Sequence, residues 1–327
     1  MLMDGSKALG KGVAHIPHKS HVEVITEYLN GWKFEVSKTQ ILKSTELDQL
    51  TDRLKLQRVP DIVYGNNSFE IHHVKSGLTF WISAIDSLSY ANIARRKEAF
   101  LPNYGQTKTT EVLDCIQAEP TEVKVKEAKY WQNKAAPLDG GLKVLEKLSD
   151  WTYSTPYKGT ILLKQKHRDL EDISIDLGVI TTNATMKDVA KVYLQETDEE
   201  IPIKRLGMDN PILWNDSIVL FEDELDDSGL SQSHFRFRAM KDCFYGLLRF
   251  YLRVDEVLIR IYDTRIFHDY NTNYILREFQ AKENSYEELR KKGFKFTPEF
   301  NMHPAQSDLV YTSLDTKVLF RDKVIFE

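Results

Sequence analysis

Cysteine is almost missing from this chain: Cys115 and Cys243 are the two in 327 residues. They lie far apart with no further thiol beside either, so they build neither a disulfide framework nor a zinc ribbon, which suits a reducing compartment. No stretch approaches the roughly 18 apolar residues a membrane-spanning helix needs. The opening MLMDGSKALGKGVAHIPHKSH has no apolar core of signal-peptide length either. The expected location is therefore the cytosol or nucleus, with no membrane partner. No charge dominates: 44 Lys and Arg stand against 49 Asp and Glu, a net charge of -5. Without a global basic field to hold a phosphate backbone, nucleic acid is not expected as a partner, and a basic partner surface is weakly favoured.

What is present supports a folded core. Apolar residues make up 42% and aromatics 11% of the chain, with charged residues at 28%, a composition that argues against bulk disorder. A chain of this length can bury roughly three quarters of the surface it exposes when unfolded. Residues 1–28 lack sustained periodicity and read as a flexible leader outside the core. A single domain then spans 29–327, with insertions at about 95–149 and 164–200, where prolines, paired glycines and charged stretches interrupt every candidate element.

Trp32, Phe34 and Val36 alternate with Lys33 and Glu35, the period-2 signature of a half-buried strand. Thr45 and Asp48 form a weak capping pair ahead of Leu47, Leu50 and Leu54, which predicts a helix that ends before Pro60. Phe69–His73 and Leu78–Ile82 read as a strand pair joined through Gly77, and Asp86 stands where an N-cap would precede a second helix. Trp151–Leu163 reads as strand around a turn at Pro156–Gly159, and Thr185–Leu194 as a short helix. Further on, Ile218–Phe221 and the alternating Phe235, Phe237 and Ala239 form a hairpin across the turn residues Asp226–Gly229. Asp242 is expected to cap a helix carrying Phe244, Leu247, Leu248, Tyr251 and Leu252, followed by paired strands Val257–Ile261 and Tyr274–Phe279. Strands dominate in antiparallel order, which predicts an α+β protein of mainly antiparallel sheets packed on each other with flanking helices.

Chemistry is scarce. Glu222, Asp223, Glu224, Asp226 and Asp227 crowd one turn without the ligand spacing of an EF-hand, which leaves a hydrated turn or an acidic patch for a basic partner. His72 and His73 are adjacent on a strand and must point to opposite faces, so they cannot chelate one ion. Gly10-Lys11-Gly12 and Gly140-Gly141 lack the ending of a phosphate loop. His268-Asp269 resembles half of a catalytic dyad, yet no G-x-S-x-G elbow accompanies it. A hydrolytic site near His268, Asp269 and Asp263 remains the alternative to a binding protein. In Arg260-Ile261-Tyr262-Asp263-Thr264-Arg265, period two places Asp263 and Arg265 on one face, where they either read a partner's polar groups or pair with each other across the strand.

The pieces VLFEDEL, LLRF, LRVD, VLIR, DTR and LRE, with DWTYSTPYKGT and WKFEVSKTQILKS, occur in the order and spacing of one family. In four blocks, Gly31–Leu54, Phe69–Asn92, Asp150–Leu163 and Ser217–Phe279, covering about half of the chain, the sequence resembles the TIPRL family of TOR-pathway regulators. The resemblance implies a non-catalytic protein with no cofactor or metal, whose antiparallel sheets form a groove for the C-terminal tail of a type 2A protein phosphatase catalytic subunit. It also implies a link to the phosphatase-associated regulatory subunit of TOR nutrient signalling. The binding positions it implies are Asp86 in SAIDSL, Ile201 in EEIPIKRL, and Ile261 and Asp263 in IRIYDTR; Arg265 joins them through its place beside Asp263. The longer leader and insertions resemble a fungal-type member.

Overall fold

The computed structural model describes residues 22–54, 56, 58–91, 152–163, 173–176, 179–180, 192–207, 209–296 and 308–326. Two antiparallel sheets face each other. One takes β1 (Glu23–Leu29), β2 (Trp32–Lys38), β4 (Ser68–His73), β5 (Leu78–Ser83), β6 (Thr160–Leu163), β7 (Ile173–Asp176) and β8 (Val179–Ile180) in that order. The other runs β3 (Ile62–Val63), β10 (Ile212–Asp223), β11 (Gly229–Met240), β12 (Cys243–Val254), β13 (Leu258–Asp269), β14 (Tyr274–Ser285), β15 (Thr316–Phe326) and β9 (Val192–Glu196). Helices α1 (Ser44–Leu54), α2 (Ala84–Ser89), α3 (Tyr286–Lys291) and α4 (Asp308–Ser313), with a 3-10 turn at Ile203–Leu206, complete the described elements. The expected α+β architecture is the one observed.

Alternation places the core. Trp32, Phe34, Val36, Phe69, Ile71, Phe80 and Ile82 leave one sheet to meet Phe235, Phe237, Phe244, Leu248 and Ile266 from the other, all buried. The rings interlock, with centroids 4.8 Å apart for Phe34 and Phe237, 5.0 Å for Phe69 and Phe235 and 5.1 Å for Trp32 and Phe244, inside the range where aromatic pairs add to area burial. Gly246 makes room: a Cβ there would stand 2.7 Å from the Phe235 ring.

Five departures from the sequence reading have physical causes. Cys243–Val254 is a strand, not a helix capped by Asp242. Both faces of β12 are covered, so apolar residues fill nearly every position and period two is erased; such a run cannot be told from a buried helix by periodicity. Ser83, not Asp86, caps α2, its hydroxyl accepting from the Asp86 amide, so Asp86 sits in the first turn. Residues 185–191 of the expected helix at Thr185–Leu194 lie outside the described residues, and its end belongs to strand β9. Within the expected leader, residues 1–21 lie outside the described residues, whereas Glu23–Leu29 is the edge strand β1. Of the expected strand Trp151–Leu163, residue 151 lies outside the described residues and only Thr160–Leu163 is regular. The residues before it form an irregular, buried thread that crosses the inner face of the larger sheet: Thr152 O accepts from Ser231, Ser154 from Arg260 and Tyr157 O from Thr264. All of 95–149 and most of 164–200 lie outside the described residues.

Two buried imidazoles make stability depend on pH. Burial lowers His234 and His268 from 6.5 to about 4 each, reinforced at His234 by Arg236 and Arg249 and only partly offset at His268 by its hydrogen bond to the Tyr274 carbonyl. The unfolded chain takes up these protons near pH 6.5 and the folded chain does not until about pH 4, so stability is full above that window and falls as pH drops through it. Urea titrations should show the unfolding midpoint falling from pH 6.5 to pH 4, with a shallower fall in His268→Gln. A flat profile in the wild type would contradict the neutral buried imidazoles.

Candidate partner-binding face

Strand β13 divides its residues between two environments. Its even positions, such as Ile266 and His268, point at the opposite sheet; its odd positions, Ile259, Ile261, Asp263, Arg265 and Phe267, point the other way. At one end this outer face is roofed by α3 and α4, where Tyr286, Leu289, Val310 and Leu314 bury Ile259, Ile261 and Tyr251. At the other end Ile201, with Leu206 packed alongside, covers Met240, Cys243, Phe267 and Leu276. Between the two roofs the face stays half open, and cross-strand register lines up polar residues there. One row is His234, Arg249, Asp263 and Gln280; the next is Arg236, Leu247, Arg265, Glu278 and Arg321.

Asp263 is the centre of this row and is 0% exposed. Arg249 grips it from the neighbouring strand through Nε and Nη2, both at 2.7 Å, and Arg265 donates from Nη2 at 2.8 Å. This forked geometry satisfies both carboxylate oxygens and costs little extra entropy, since the guanidinium plane is rigid. The chain of contacts continues outward: Arg265 donates to Glu278 at 2.8 Å, and Arg321 to the other Glu278 oxygen at 2.7 Å. From α4, Tyr311 hydrogen-bonds Arg265 and Gln280, and its ring lies 5.0 Å from the Arg249 guanidinium and 4.5 Å from Lys282 Nζ. Burial opposes the Arg249 charge, but the Asp263 carboxylate outweighs it and raises the guanidinium's pKa. Burial likewise raises the Tyr311 hydroxyl, which therefore stays protonated as a donor.

The face as a whole is basic. Arg249, Arg265, Arg321, Lys282, Arg236 and Arg238 share it with the carboxylates Asp263 and Glu278, and at its margins with Glu222 on the Lys282 row and Glu200, 3.1 Å from Arg321. Arg236 is exposed and, among the described residues, has no carboxylate within salt-bridge distance. Arg238 rests over the Tyr245 ring at 5.3 Å. Leu319 adds an exposed apolar side chain at the β15 end of the Asp263 row. Such an arrangement can take an extended, acidic or carboxylate-bearing segment through charge-assisted hydrogen bonds.

The sequence-derived site residues are thus partly united. Ile261, Asp263 and Arg265 share this face and Ile201 forms its far roof, but Ile201, Ile261 and Asp263 are buried within the protein itself. Of the two readings of Asp263 and Arg265, their pairing with each other is the one observed, and Arg249 joins it, so two guanidinium groups of the same chain occupy the carboxylate. Asp86 is elsewhere. Its Oδ2 accepts from Thr160 at 3.1 Å, next to Tyr157, whose backbone meets Thr264 on the inner face of the sheet. It therefore approaches the larger sheet from the side opposite Asp263. The sequence reading missed Arg249, Glu278, Tyr311 and Arg321. Arg249 was hidden inside the mistaken helix; read as a strand, the segment places Arg249 on the face of Tyr245, Leu247 and Tyr251.

The hydrolytic alternative loses its geometry here. His268 points inward among Trp32, Phe244 and Phe326, donating from Nδ1 to the Tyr274 carbonyl at 2.8 Å, whereas Asp263 points outward. Asp269 is held in its turn by Arg205 and Asn271. The acidic turn is similarly absorbed: Asp223 is buried and accepts from the Leu225 and Asp61 amides, and Asp226 pairs with Arg58 at 3.0 Å. No group of three or more metal-ligating side chains is found among the described residues.

Comparison with known proteins gives a consistent result. A model of the TIP41-like family matches residues 62–290. A TIP41-like protein of Dictyostelium discoideum is 29% identical over 300 residues, 91% of each chain. A human TIP41-like protein is 31% identical over 258 residues, covering 79% of this chain and 76% of its own. The type 2A phosphatase activator TIP41 of Saccharomyces cerevisiae is 30% identical over 265 residues, covering 81% of this chain and 64% of its own. These identities do not single out the fungal relatives.

Replacing Asp263 removes one member of a buried charged cluster and leaves two guanidinium groups facing each other. Asp263→Leu should lose about 3–5 kcal/mol of folding stability, measured by urea denaturation at neutral pH. A variant as stable as the wild type would show that Arg249 and Arg265 find other partners.

Proposed function

The chain belongs to the TIP41-like family, and from that premise we propose that it regulates type 2A protein phosphatases by binding a catalytic subunit. The observation that carries the reading is the half-open basic floor around Arg236, Arg265 and Arg321, held in shape by Asp263 and set between two apolar roofs. In this role Asp263 positions the guanidinium groups, while Arg236 and the outer edges of Arg265 and Arg321 meet the partner. The occupant that fits is the C-terminal tail of the catalytic subunit: an extended segment ending in a carboxylate, whose charge matches the floor. Two of the relatives are named type 2A phosphatase activators, which supports a phosphatase partner.

The reading extends to a protein without catalysis of its own, acting in cytoplasm or nucleus, and linked through the phosphatase-associated regulatory subunit to TOR nutrient signalling. Asp86 remains a second candidate contact, reached from the other side of the sheet. It joins the binding surface only if the catalytic subunit touches both sides of the domain.

Binding of a purified type 2A catalytic subunit, measured by biolayer interferometry, distinguishes these contacts. Arg236→Glu should weaken binding by about tenfold, chiefly through slower association, and the deficit should shrink at high salt. Its melting temperature should stay at the wild-type value, because Arg236 is exposed. Unchanged affinity would move the contact off this face, and a loss confined to Asp86→Leu would place it on the opposite side. Phosphate release from a phosphopeptide by the chain alone, surviving repurification, would overturn the non-catalytic reading.

A further inference from the structure

Among the described residues, β1 has a free edge, independent of the basic face. β1 is the outermost strand of its sheet and pairs on one side with β2. Asn30 and Gly31, with φ of 50° and 83°, form the two-residue turn between them, a turn closed by a pair that exchanges both backbone hydrogen bonds. That closing pair is Leu29 and Trp32. By alternation, Leu29, Glu27, Ile25 and Glu23 direct their N–H and C=O groups at β2, whereas Tyr28, Thr26 and Val24 direct theirs away from the sheet. Their side chains share one exposed face, with Val24 54% and Tyr28 64% exposed. An open strand with exposed apolar side chains is a template for another strand.

We propose that this edge pairs with the same edge of a second copy of the chain, antiparallel, about a two-fold axis through Thr26. In that register Val24 faces Tyr28 of the second copy, Thr26 faces Thr26, and Tyr28 faces Val24. These are aromatic with β-branched and threonine with threonine pairs, both among the favourable cross-strand combinations. The three residues that point their backbone groups outward are the three that meet, so each pair can exchange two hydrogen bonds. On the other face Glu23 meets Leu29 and Ile25 meets Glu27. Shifting the axis to Ile25 would put Glu23 opposite Glu27, and shifting it to Glu27 would put that residue opposite itself; like charges placed directly opposite repel. Axes through Val24 or Tyr28 avoid that repulsion but pair fewer of the β1 residues whose backbone groups point outward, so hydrogen bonding and charge together favour the register centred on Thr26, and the contact is isologous as a two-fold dimer requires.

A single strand edge buries little area, so the dimer belongs to the weak class, with Kd on the order of 10–100 µM. Sedimentation velocity of the full chain, followed up to roughly 200 µM, should show a concentration-dependent shift from monomer to dimer. Thr26→Pro removes an N–H that points away from the sheet, a position where an edge strand accepts proline. It should remain monomeric throughout while melting within about 2 °C of the wild type. Should proline unsettle the hairpin, Val24→Lys combined with Tyr28→Lys, at positions already exposed, should abolish the dimer alone. A wild type that stays monomeric at every concentration overturns the proposal. So does a dimer that survives both variants, which would place the contact on another surface. A monomeric chain whose Thr26→Pro variant loses phosphatase binding would assign the edge to that partner and equally overturn the dimer.

Discussion

The outer face of the larger sheet is organised by one requirement: a carboxylate with no access to water must be paired. Asp263 lies mid-strand at 0% exposure, where an isolated charge would cost several kcal/mol. Arg249 and Arg265 meet that requirement from adjoining positions, and in doing so they fix their own planes. Glu278, Arg321, Gln280 and Tyr311 are then placed by what remains of the guanidinium donors. The network joins β12, β13, β14 and β15 with helix α4, so the exposed edges of its cations are held rigid. Rigid cations lose less entropy when a partner arrives, which is the physical basis for a pre-formed binding floor.

The inner face solves a different problem. Two twisted sheets do not close on each other everywhere, and the irregular thread at 152–159 fills the space between them. Its Thr152 and Tyr157 carbonyls accept from the Ser231 and Thr264 hydroxyls of the larger sheet. Gly159 has φ of +84° and stands so close to Phe80 that a Cβ would fall 2.4 Å from the ring, so both conformation and space demand glycine there. Lys158 enters the same layer and lies over the Phe279 and Phe320 rings at 4.9 Å and 4.5 Å. Burial lowers its amine to about 7, so it can shed its proton rather than hold an unpaired charge in the core.

Much of this was legible in the sequence. Period-two alternation located β2, β4, β5 and β11, and capping with leucine spacing located α1. Glycine and aspartate chemistry located the turns at Gly77 and Asp226–Gly229, and the aromatic residues named for those strands are the ones found between the sheets. Legibility failed where a strand is covered on both faces. In β12, Phe244, Leu248 and Leu252 serve the inner core while Cys243, Tyr245 and Tyr251 serve the outer one, and the mixture has no period of its own.

For the candidate site the division is sharper. The sequence by itself determined that Asp263 and Arg265 share a face, because side chains two apart on a strand always do. It likewise determined that His72 and His73 cannot share one. It could not determine that Asp263 is occupied by Arg249, since that contact follows from the register of β12 against β13 and from the strand character of β12. Nor could it decide that Asp86 and Asp263 approach the larger sheet from opposite sides, or that Ile261 is buried beneath one roof while Ile201 forms the other. Those outcomes depend on which chain segments cover each face of the sheet. Tertiary packing alone makes that choice, because exposure belongs to the assembled surface and not to any residue's own chemistry.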